Sequence, residues 1–209
     1  MPLNGKPILQ HIIEFYLAKQ FRDVILCAGF RAEMIRAFVD AQGFEAHIDV
    51  SDAGEEASML QRLHAVRRQI ADRAMVTYGD TFINIDPERM LQEHERSRAA
   101  VTITIADIRS PFGIVDVDPK SRVLAFDEKP SFPYYIGHMI MERPVLDQLP
   151  LALLALPDGE GLVRLFQELI AKGQLRAHKH TGLRITFNTL SERERAEEEM
   201  VKFFTQQDA

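Results

Sequence analysis

Apolar and polar positions in the first half of the chain follow two periods, one typical of helices and one typical of buried strands. Residues 7–20 carry apolar side chains at Ile8, Ile12 and Phe15, a helical stripe with a proline in its first turn. Residues 23–28 form a continuous apolar run, which is typical of a strand buried on both faces. The pattern predicts helices over 7–20, 32–41, 57–70 and 86–98, and strands over 23–28, 44–50 and 74–78.

The second half of the chain has shorter runs that are rich in β-branched residues. A turn signal at residues 118–121 separates two of them and predicts a hairpin. Residues 150–161 carry the weakest pattern, and we expect a mobile loop there. Ser191 followed by Glu194 is a capping-box pattern that starts a predicted terminal helix over 191–204. The other predicted elements are strands 101–105, 113–117, 123–126, 175–180 and 184–187, and helices 144–149 and 161–172.

This order of elements predicts an α/β fold. Alternating strands and helices favour a Rossmann-like, mostly parallel mixed sheet with helices on both faces. The chain has 209 residues and no visible repeat, low-complexity tract or linker. We therefore expect residues 1–209 to form a single domain.

Composition removes several functional classes. The formal net charge of -6 argues against a nucleic-acid partner, because such proteins need clustered Lys and Arg. The single cysteine, Cys27, excludes an internal disulfide and cysteine-rich metal sites, and we interpret it as a buried apolar residue. The longest apolar stretch, 149–156, falls far short of the roughly 20 residues of a membrane helix. No secretory signal is visible, so a cytoplasmic protein without a membrane partner is expected.

Two charged motifs follow predicted strands. The run Tyr78-Gly79-Asp80 closes a buried strand, where Asp80 is placed to hold a divalent cation against phosphate oxygens or simply to turn the chain. In Glu128-Lys129-Pro130, the proline favours an extended Lys129. Glu128 would then accept sugar hydroxyls and Lys129 would bind a phosphate, unless the run is only an exposed charged turn.

Other candidate residues carry weaker signals. Gly113 opens a strand and lets a ligand approach the backbone, although an ordinary turn explains it equally well. Gly54 and the free amides near Ser58 precede a predicted helix. They either face a nucleotide or belong to a plain loop. His178 and His180 share one strand face, which indicates either a metal pair or a solvated face. We expect the solvated face. Met139 and Met141 alternate in the same way and are predicted to lie in the core.

Taken in order, seven short motifs resemble the sugar-1-phosphate nucleotidyltransferases, also called NDP-sugar pyrophosphorylases. The resemblance covers nearly the whole chain and is greatest to the glucose-1-phosphate cytidylyltransferases. The motifs are Gly5-Lys6-Pro7-Ile8-Leu9, Ala28-Gly29-Phe30, Asp52-Ala53-Gly54, Tyr78-Gly79-Asp80, Phe112-Gly113, Glu128-Lys129-Pro130 and Asn188-Thr189-Leu190.

The resemblance implies a transferase of nucleotide-sugar biosynthesis with the fold of the nucleotide-diphospho-sugar transferases. Members bind a nucleoside triphosphate with Mg²⁺ and a sugar 1-phosphate, whose oxygen attacks the α-phosphorus while pyrophosphate leaves. A homo-oligomer is left open by the same resemblance. It implies metal positions at Asp80 and Asn188, catalytic roles for Asp80 and Lys129, and substrate contacts at Glu128, Gly113, Gly137, Gly54 and Ser58.

The sequence also departs from the family pattern in three ways. Its opening strand and G-x-G-T-R phosphate loop do not precede Gly5, so we expect the first strand of the sheet to be missing, with unpaired backbone groups on both neighbours. The second metal carboxylate of the family falls at Asn188, a neutral amide. Ile136 and His138 replace residues that hydrogen-bond the sugar or leave room for it.

Two functions therefore stay open at the level of sequence. One is an active nucleotidyltransferase, favouring CTP, whose recorded start lies too late. The other is a catalytically inactive homologue that binds a sugar phosphate or regulates a partner. A dehydrogenase or methyltransferase with a doubly wound sheet is disfavoured, because no G-x-G-x-x-G motif follows a strand.

Overall fold

The computed structural model describes residues 2–186, 194, 196–198 and 200. The helices of this part are α1 (Ile8–Ala18), α2 (Ala32–Gln42), α3 (Met59–Val66), α4 (Pro87–Ser97), α5 (Arg143–Asp147), α6 (Leu151–Leu154) and α7 (Glu160–Ala171). The strands are β1 (Pro2–Leu3), β2 (Lys6–Pro7), β3 (Asp23–Ala28), β4 (His47–Asp52), β5 (Arg73–Thr77), β6 (Thr81–Ile83), β7 (Val101–Arg109), β8 (Ile114–Val117), β9 (Val123–Asp127), β10 (Ser131–Glu142), β11 (Leu175–Lys179) and β12 (Arg184–Thr186). None of these helices is long and apolar enough to cross a membrane.

The central sheet has four strands in the order β11-β7-β10-β5. Strands β5, β7 and β11 run in one direction and β10 runs in the other, since β10 pairs antiparallel with β5 and β7 while β11 pairs parallel with β7. A separate parallel pair, β3–β4, forms the rest of the Rossmann-like part. Two short pairs, β1–β2 and β12–β6, and the hairpin β8–β9 complete the strands. The predicted α/β fold with a mostly parallel mixed sheet is confirmed.

Helices cover both faces of the central sheet. On one face, α3 and α5–α7 pack against Met139 and Met141 of β10, both fully buried as predicted. On the other face, Met90 of α4 packs against Ile140 of β10 and Ile136. Because successive side chains of a strand point to opposite faces, β10 supplies both halves of the core. The largest cluster comprises Leu60, Leu63, Val66, Ile70, Val101, Met139, Met141, Leu146, Leu149, Leu153, Leu162, Leu165 and Leu169.

Strands β3 and β5 are less buried than their apolar sequences predict. Residues 24–27 of β3 and all of β5 are half-buried, although both runs suggest strands covered on both faces. Ile25 and Cys27 of β3 pack on the same core cluster as Ala74 and Val76 of β5. Within the described residues, each of these two strands has a hydrogen-bonded neighbour on one side only, so its second edge stays partly exposed.

Three predictions about elements need correction or lie outside the described residues. Strand β10 was not predicted, because Pro133 and Gly137 interrupt its pattern. The segment 150–161 is not simply a loop, since α6 forms there and buries Leu153. The predicted capping box at Ser191 and most of the terminal helix 191–204 fall outside the described residues.

Candidate functional site

The carboxyl end of β5 is joined to a bulge in β10. The amide of Tyr78 donates to the carbonyl oxygen of Gly137 at 2.9 Å, and the pairing of β10 with β7 shifts between Tyr135 and Met139. Gly137 has a φ of +72°, and a Cβ atom there would lie 2.6 Å from Cδ2 of Tyr78. Only glycine therefore suits this buried position, where the ring of Tyr78 packs directly against the backbone of the bulge.

Asp80 follows directly and is exposed. One of its oxygens, Oδ1, accepts a hydrogen bond from the hydroxyl of Thr81 at 3.2 Å. One carboxylate is enough for a Mg²⁺ site of the usual kind, which is completed by water and substrate phosphates. The described residues hold no group of three or more His, Cys, Asp or Glu side chains that would form a metal site without substrate. Asn188, the second predicted ligand, lies outside the described residues.

Gly113, Glu128 and Lys129 come together at the base of the hairpin β8–β9. A Cβ atom on Gly113 would lie 2.8 Å from the ring of Phe126 and 3.2 Å from Oε2 of Glu128. The Glu128 carboxylate and the Lys129 ammonium are 3.8 Å apart, and both side chains are about half exposed. An acceptor, a cation and a glycine therefore share one surface.

The predicted extended conformation of Lys129 is wrong. Its φ is +49°, a left-handed conformation that is unusual for any residue other than glycine. Two contacts hold the turn: Arg109 donates from Nε to the Lys129 oxygen at 3.2 Å, and the Ser110 amide donates to the Pro130 oxygen at 2.8 Å. Such a conformation costs on the order of 1–3 kcal/mol, which the surrounding contacts must offset.

The structure separates these two groups of residues. Beyond the end of β5, residues 105–109 and 131–135 continue as a two-stranded extension, because Ser131 pairs with Arg109 and Tyr135 with Ile105. We call residues 105–135, including the hairpin at its end, the arm. Six residues of strand from Ser131 to Gly137 span about 20 Å at the usual rise. The Glu128–Lys129 group thus lies at the hairpin end of the arm, and Gly137 lies where β10 enters the central sheet.

Gly54 and Ser58 form a third location, between β4 and α3. Gly54 has a φ of +91°, and its amide donates to Oδ1 of Asp52 at 2.9 Å. Ser58 is buried and caps α3 in a reciprocal box with Gln61. The amide of Met59 donates to Asp158 at 2.7 Å. The helix amides that were expected to be free near Ser58 are therefore bonded to the protein's own side chains.

Ile136 and His138 do not face the site. Both flank the Gly137 bulge and are buried, Ile136 in the core and His138 with none of its surface exposed. Nε2 of His138 shares a hydrogen bond of 2.5 Å with the Tyr16 hydroxyl, and Nδ1 lies 3.1 Å from Oγ1 of Thr104. Burial, together with the neighbouring His178 and His180, lowers the pKa of His138 to about 3. The bulk of His138 is thus accommodated inside the protein.

His178 and His180 are also buried, so the expected solvated face is wrong. Nδ1 of His178 lies 2.6 Å from Oε2 of Glu93, and Nε2 of His180 lies 3.0 Å from the Leu183 oxygen. The hydrogen bond from His178 is the main cause that keeps the pKa of Glu93 below its usual value. Burial lowers the pKa of His180. These contacts make the pair part of the core between β11 and α4.

Sequence reasoning missed Arg62. The run 57–70 predicted only a helix, yet the guanidinium of Arg62 turns back to the ends of β3 and β4. It donates to the oxygen of Ala28 and, at 2.9 Å, to the oxygen of Glu55. Its guanidinium occupies the space where a side chain on Gly29 would lie. Gly29, directly after a strand, was the one sequence signal for this close approach.

Comparisons with known proteins agree with this fold. The model of the family described as nucleotidyl transferase matches residues 1–174. The chain is 26% identical to "Probable glucose-1-phosphate cytidylyltransferase" of Bacillus subtilis, over 90% of this chain and 81% of that protein. It is 29% identical to mannose-1-phosphate guanylyltransferase of Mycobacterium tuberculosis, over 72% of this chain and 44% of that protein. The crystal structure of HddC from Yersinia pseudotuberculosis has the same fold, with a TM-score of 0.74, 16% identity and coverage of 96% and 88%.

Proposed function

Because the chain belongs to the nucleotidyl transferase family, we propose that it joins a nucleoside monophosphate from a nucleoside triphosphate to a sugar 1-phosphate and releases pyrophosphate. CTP is the favoured nucleotide in this proposal, because the motifs of the chain resemble those of the glucose-1-phosphate cytidylyltransferases. The observation that carries the proposal is the grouping of Gly113, Glu128 and Lys129 on one exposed surface. An acceptor beside a cation matches a molecule with hydroxyl groups and a phosphate.

Each residue of this group has a distinct role in the proposal. Lys129 balances the charge of the sugar phosphate with its ammonium group, which is a compact and mobile cation. Glu128 accepts hydrogen bonds from sugar hydroxyls through a carboxylate that is half exposed and so accessible. Gly113 would contact the sugar through its backbone, and a side chain at this position would collide with the ring of Phe126 and crowd Glu128. Together they orient the phosphate oxygen that attacks.

The end of β5 serves the nucleotide in this proposal. Asp80 would hold Mg²⁺ with Asn188 as a second ligand, and the ion would neutralise triphosphate charge when bound. Gly137, beside Tyr78, is the position proposed to contact the sugar through its backbone. Gly54 and Ser58 shape the loop proposed to face the base. Asp80 and Lys129 act as the catalytic pair, since positioning and charge neutralisation are most of what phosphoryl transfer requires.

The separation of the two groups adds a requirement. Reaction needs the attacking oxygen within about 3–3.5 Å of phosphorus, so both substrates must reach one place although the two groups lie at opposite ends of the arm. We propose that the bulge at Gly137, where a strand bends, directs the arm and a sugar phosphate at Lys129 towards the end of β5.

A second candidate function follows from the helix α3. Its first amides donate to Gln61, Ser58 and Asp158, so they offer little to a triphosphate in this conformation. Arg62, a cation beside this loop, is engaged with two backbone oxygens. These contacts favour the catalytically inactive homologue, which would bind a sugar phosphate at Lys129 and not turn it over.

One experiment separates these functions. Pyrophosphate release is measured with Mg²⁺, glucose 1-phosphate and each of CTP, GTP, UTP and ATP, and sugar-phosphate binding is measured by calorimetry. Lys129→Ala is compared with Lys120→Ala, because both residues are exposed lysines of the arm. We expect turnover, fastest with CTP, that falls at least about 100-fold in Lys129→Ala and stays near wild type in Lys120→Ala.

The other outcomes decide against that expectation in distinct ways. Binding of glucose 1-phosphate that depends on Lys129, without pyrophosphate release, would establish the inactive homologue. Turnover that is equal in both variants would remove Lys129 from the site. Neither binding nor turnover with any nucleotide and any sugar phosphate would overturn both functions.

A further inference from the structure

The bulge of β10 lies opposite a single residue of β7. On one side of the bulge, Tyr135 pairs with Ile105. On the other side, Met139 pairs with Ile103, so the three residues of β10 between these pairs face Thr104 alone. A bulge disrupts the ladder of backbone hydrogen bonds and leaves its extra residues unpaired. Other contacts must therefore hold β10 to β7 at this point.

A hydrogen bond between side chains joins the two strands here. Nδ1 of His138, which lies in the bulge, is 3.1 Å from Oγ1 of Thr104, the residue that the bulge faces. Neither side chain has any exposed surface. A hydrogen bond in such surroundings has little competition from water, so it is well suited to fasten the bulge to β7.

Tyr16 of α1 holds the other nitrogen of the same ring. Its hydroxyl lies 2.5 Å from Nε2 of His138, and the two rings are nearly parallel. This hydroxyl has no other hydrogen-bond partner among the described residues, so it donates to Nε2. Nδ1 then carries the ring hydrogen and donates to Thr104, whose hydroxyl donates to the sulfur of Met90 at 3.6 Å. The donations run in one direction from α1 through the bulge to β7 and α4.

The bulge also holds the end of β5. The carbonyl oxygen of Gly137 accepts the hydrogen bond from the amide of Tyr78 at 2.9 Å, and Asp80 follows two residues later. This carbonyl group and the nitrogen of His138 belong to the same planar peptide unit. The direction of the carbonyl is therefore tied to the position of His138.

We propose that His138 is a positioning residue, which together with Tyr16 and Thr104 fixes the Gly137 carbonyl and thereby the end of β5 that presents Asp80. The part of this inference that concerns Asp80 rests on the proposed function. The coupling of the three side chains to the end of β5 does not. His138, which departs from the family pattern, thus orders the site from behind.

Hydrogen exchange of the Tyr78 amide, followed by NMR, tests the coupling without reference to activity. Thr104→Val keeps the shape of the side chain and removes its hydroxyl. It should speed exchange at Tyr78 about 10-fold more than at the amides of β5, in line with the cost of one buried partner lost. Thr102→Val is the matched control, because Thr102 is buried on the same face of β7 and bonds to Nδ1 of His94 at 2.7 Å. It should change exchange at Tyr78 no more than in β5.

A second variant covers the case in which Thr104→Val fails to fold. Tyr16→Phe removes only a hydroxyl from a partly exposed ring, and we expect about the same 10-fold effect at the Tyr78 amide. Tyr134→Phe removes a hydroxyl from the exposed part of the arm and should leave exchange at Tyr78 unchanged.

Activity then tests the link to Asp80. In Thr104→Val and Tyr16→Phe, the Mg²⁺ concentration that gives half-maximal pyrophosphate release should rise several-fold. The KM for glucose 1-phosphate should stay near that of wild type, because Lys129 lies at the hairpin end of the arm. A structural defect that merely lowers the amount of folded protein would change neither constant.

The outcomes separate the two proposals. Exchange at Tyr78 that rises equally in Thr104→Val and Thr102→Val, or that stays unchanged in Tyr16→Phe, would overturn the coupling. Turnover with the same Mg²⁺ dependence in wild type and variants would overturn the link to Asp80. The expected exchange pattern in a protein that shows no turnover would support the coupling and count against the proposed activity alone.

Discussion

The strand β10 passes through two regions that differ completely in burial. Its first four residues, 131–134, are exposed in the arm. Residues 136–141 are all buried in the body, by which we mean the described residues outside the arm. Both segments are largely apolar in sequence, with Phe132 and Tyr134 in one and Met139 and Ile140 in the other. The difference lies in the surroundings, because helices cover both faces of β10 over residues 136–141, whereas the described residues leave 131–134 exposed. Burial along a strand is thus decided by tertiary packing as much as by composition.

The largest expected effect on stability comes from truncating one large side chain in each region. Met139→Ala should reduce the free energy of unfolding by about 2–5 kcal/mol, because Met139 is fully buried in the main cluster and its loss leaves a cavity. Tyr134→Ala, which truncates a half-exposed side chain of the arm, should cost less than about 1 kcal/mol. Urea denaturation of both variants gives the comparison. Equal losses would mean that the arm is packed like the body.

This contrast explains what sequence could predict of the fold. The helices α1, α2 and α4 and strand β3 were predicted almost to the residue, because local periodicity and proline positions mark them. Strand β10 was missed because Pro133 is tolerated only where β10 is an edge in the arm, and Gly137 only at the bulge. Both conditions depend on neighbours that are distant in sequence, so no local pattern reports them.

The buried side of β10 should also show a pH dependence, which arises from His138. Burial lowers the pKa of His138 to about 3, below its value near 6.5 in the unfolded chain. Below about pH 6.5 the unfolded chain binds a proton that the folded protein does not, so stability is full above this pH and falls on acidification towards pH 3. The groups facing His138 are Tyr16, Thr104, His178 and His180.

The pH effect is measured as a slope. Between about pH 6 and pH 4, His138 should contribute up to about 1.4 kcal/mol of lost stability per pH unit. His138→Gln removes this titration and should flatten the slope of unfolding free energy against pH, while His180 and Glu93 still contribute to it in the variant. An unchanged slope in His138→Gln would show that the buried ring is protonated in the folded protein.

The junction between body and arm is expected to be moderately sensitive. Gly137→Ala must adopt a φ of +72° and also displace the ring of Tyr78, so we expect a loss of about 2–3 kcal/mol. Gly173→Ala has a similar φ of +67°, but its Cβ atom would meet open space, so it should lose only about 1 kcal/mol. The difference in urea midpoints isolates the contact with Tyr78. Identical losses would mean that the ring moves aside without cost.

Of the candidate site, sequence could predict residue types and not their grouping. Glu128, Lys129 and Gly113 were selected as separate motifs, and the structure brings them together because β8 and β9 pair. Ser58 was expected to offer free amides, but the side chains that bond to them come from Gln61 and from Asp158, about a hundred residues away. Long-range partners of this kind leave no trace in a local motif.

The smallest expected effect concerns strain in the arm. Lys129→Gly removes the cost of a left-handed φ of +49° and should raise the free energy of unfolding by up to about 1 kcal/mol, while sugar-phosphate binding is lost with the ammonium group. Ser121→Gly relieves the same kind of strain, at a φ of +61°, in the hairpin turn and should stabilise the protein by a similar amount with binding unchanged. A stability gain in both variants, with binding lost only in Lys129→Gly, would mean that the strained backbone at Lys129 persists because its ammonium group is needed for binding. If Lys129→Gly is destabilised instead, the lysine supports the arm itself and its conformation has a structural cause.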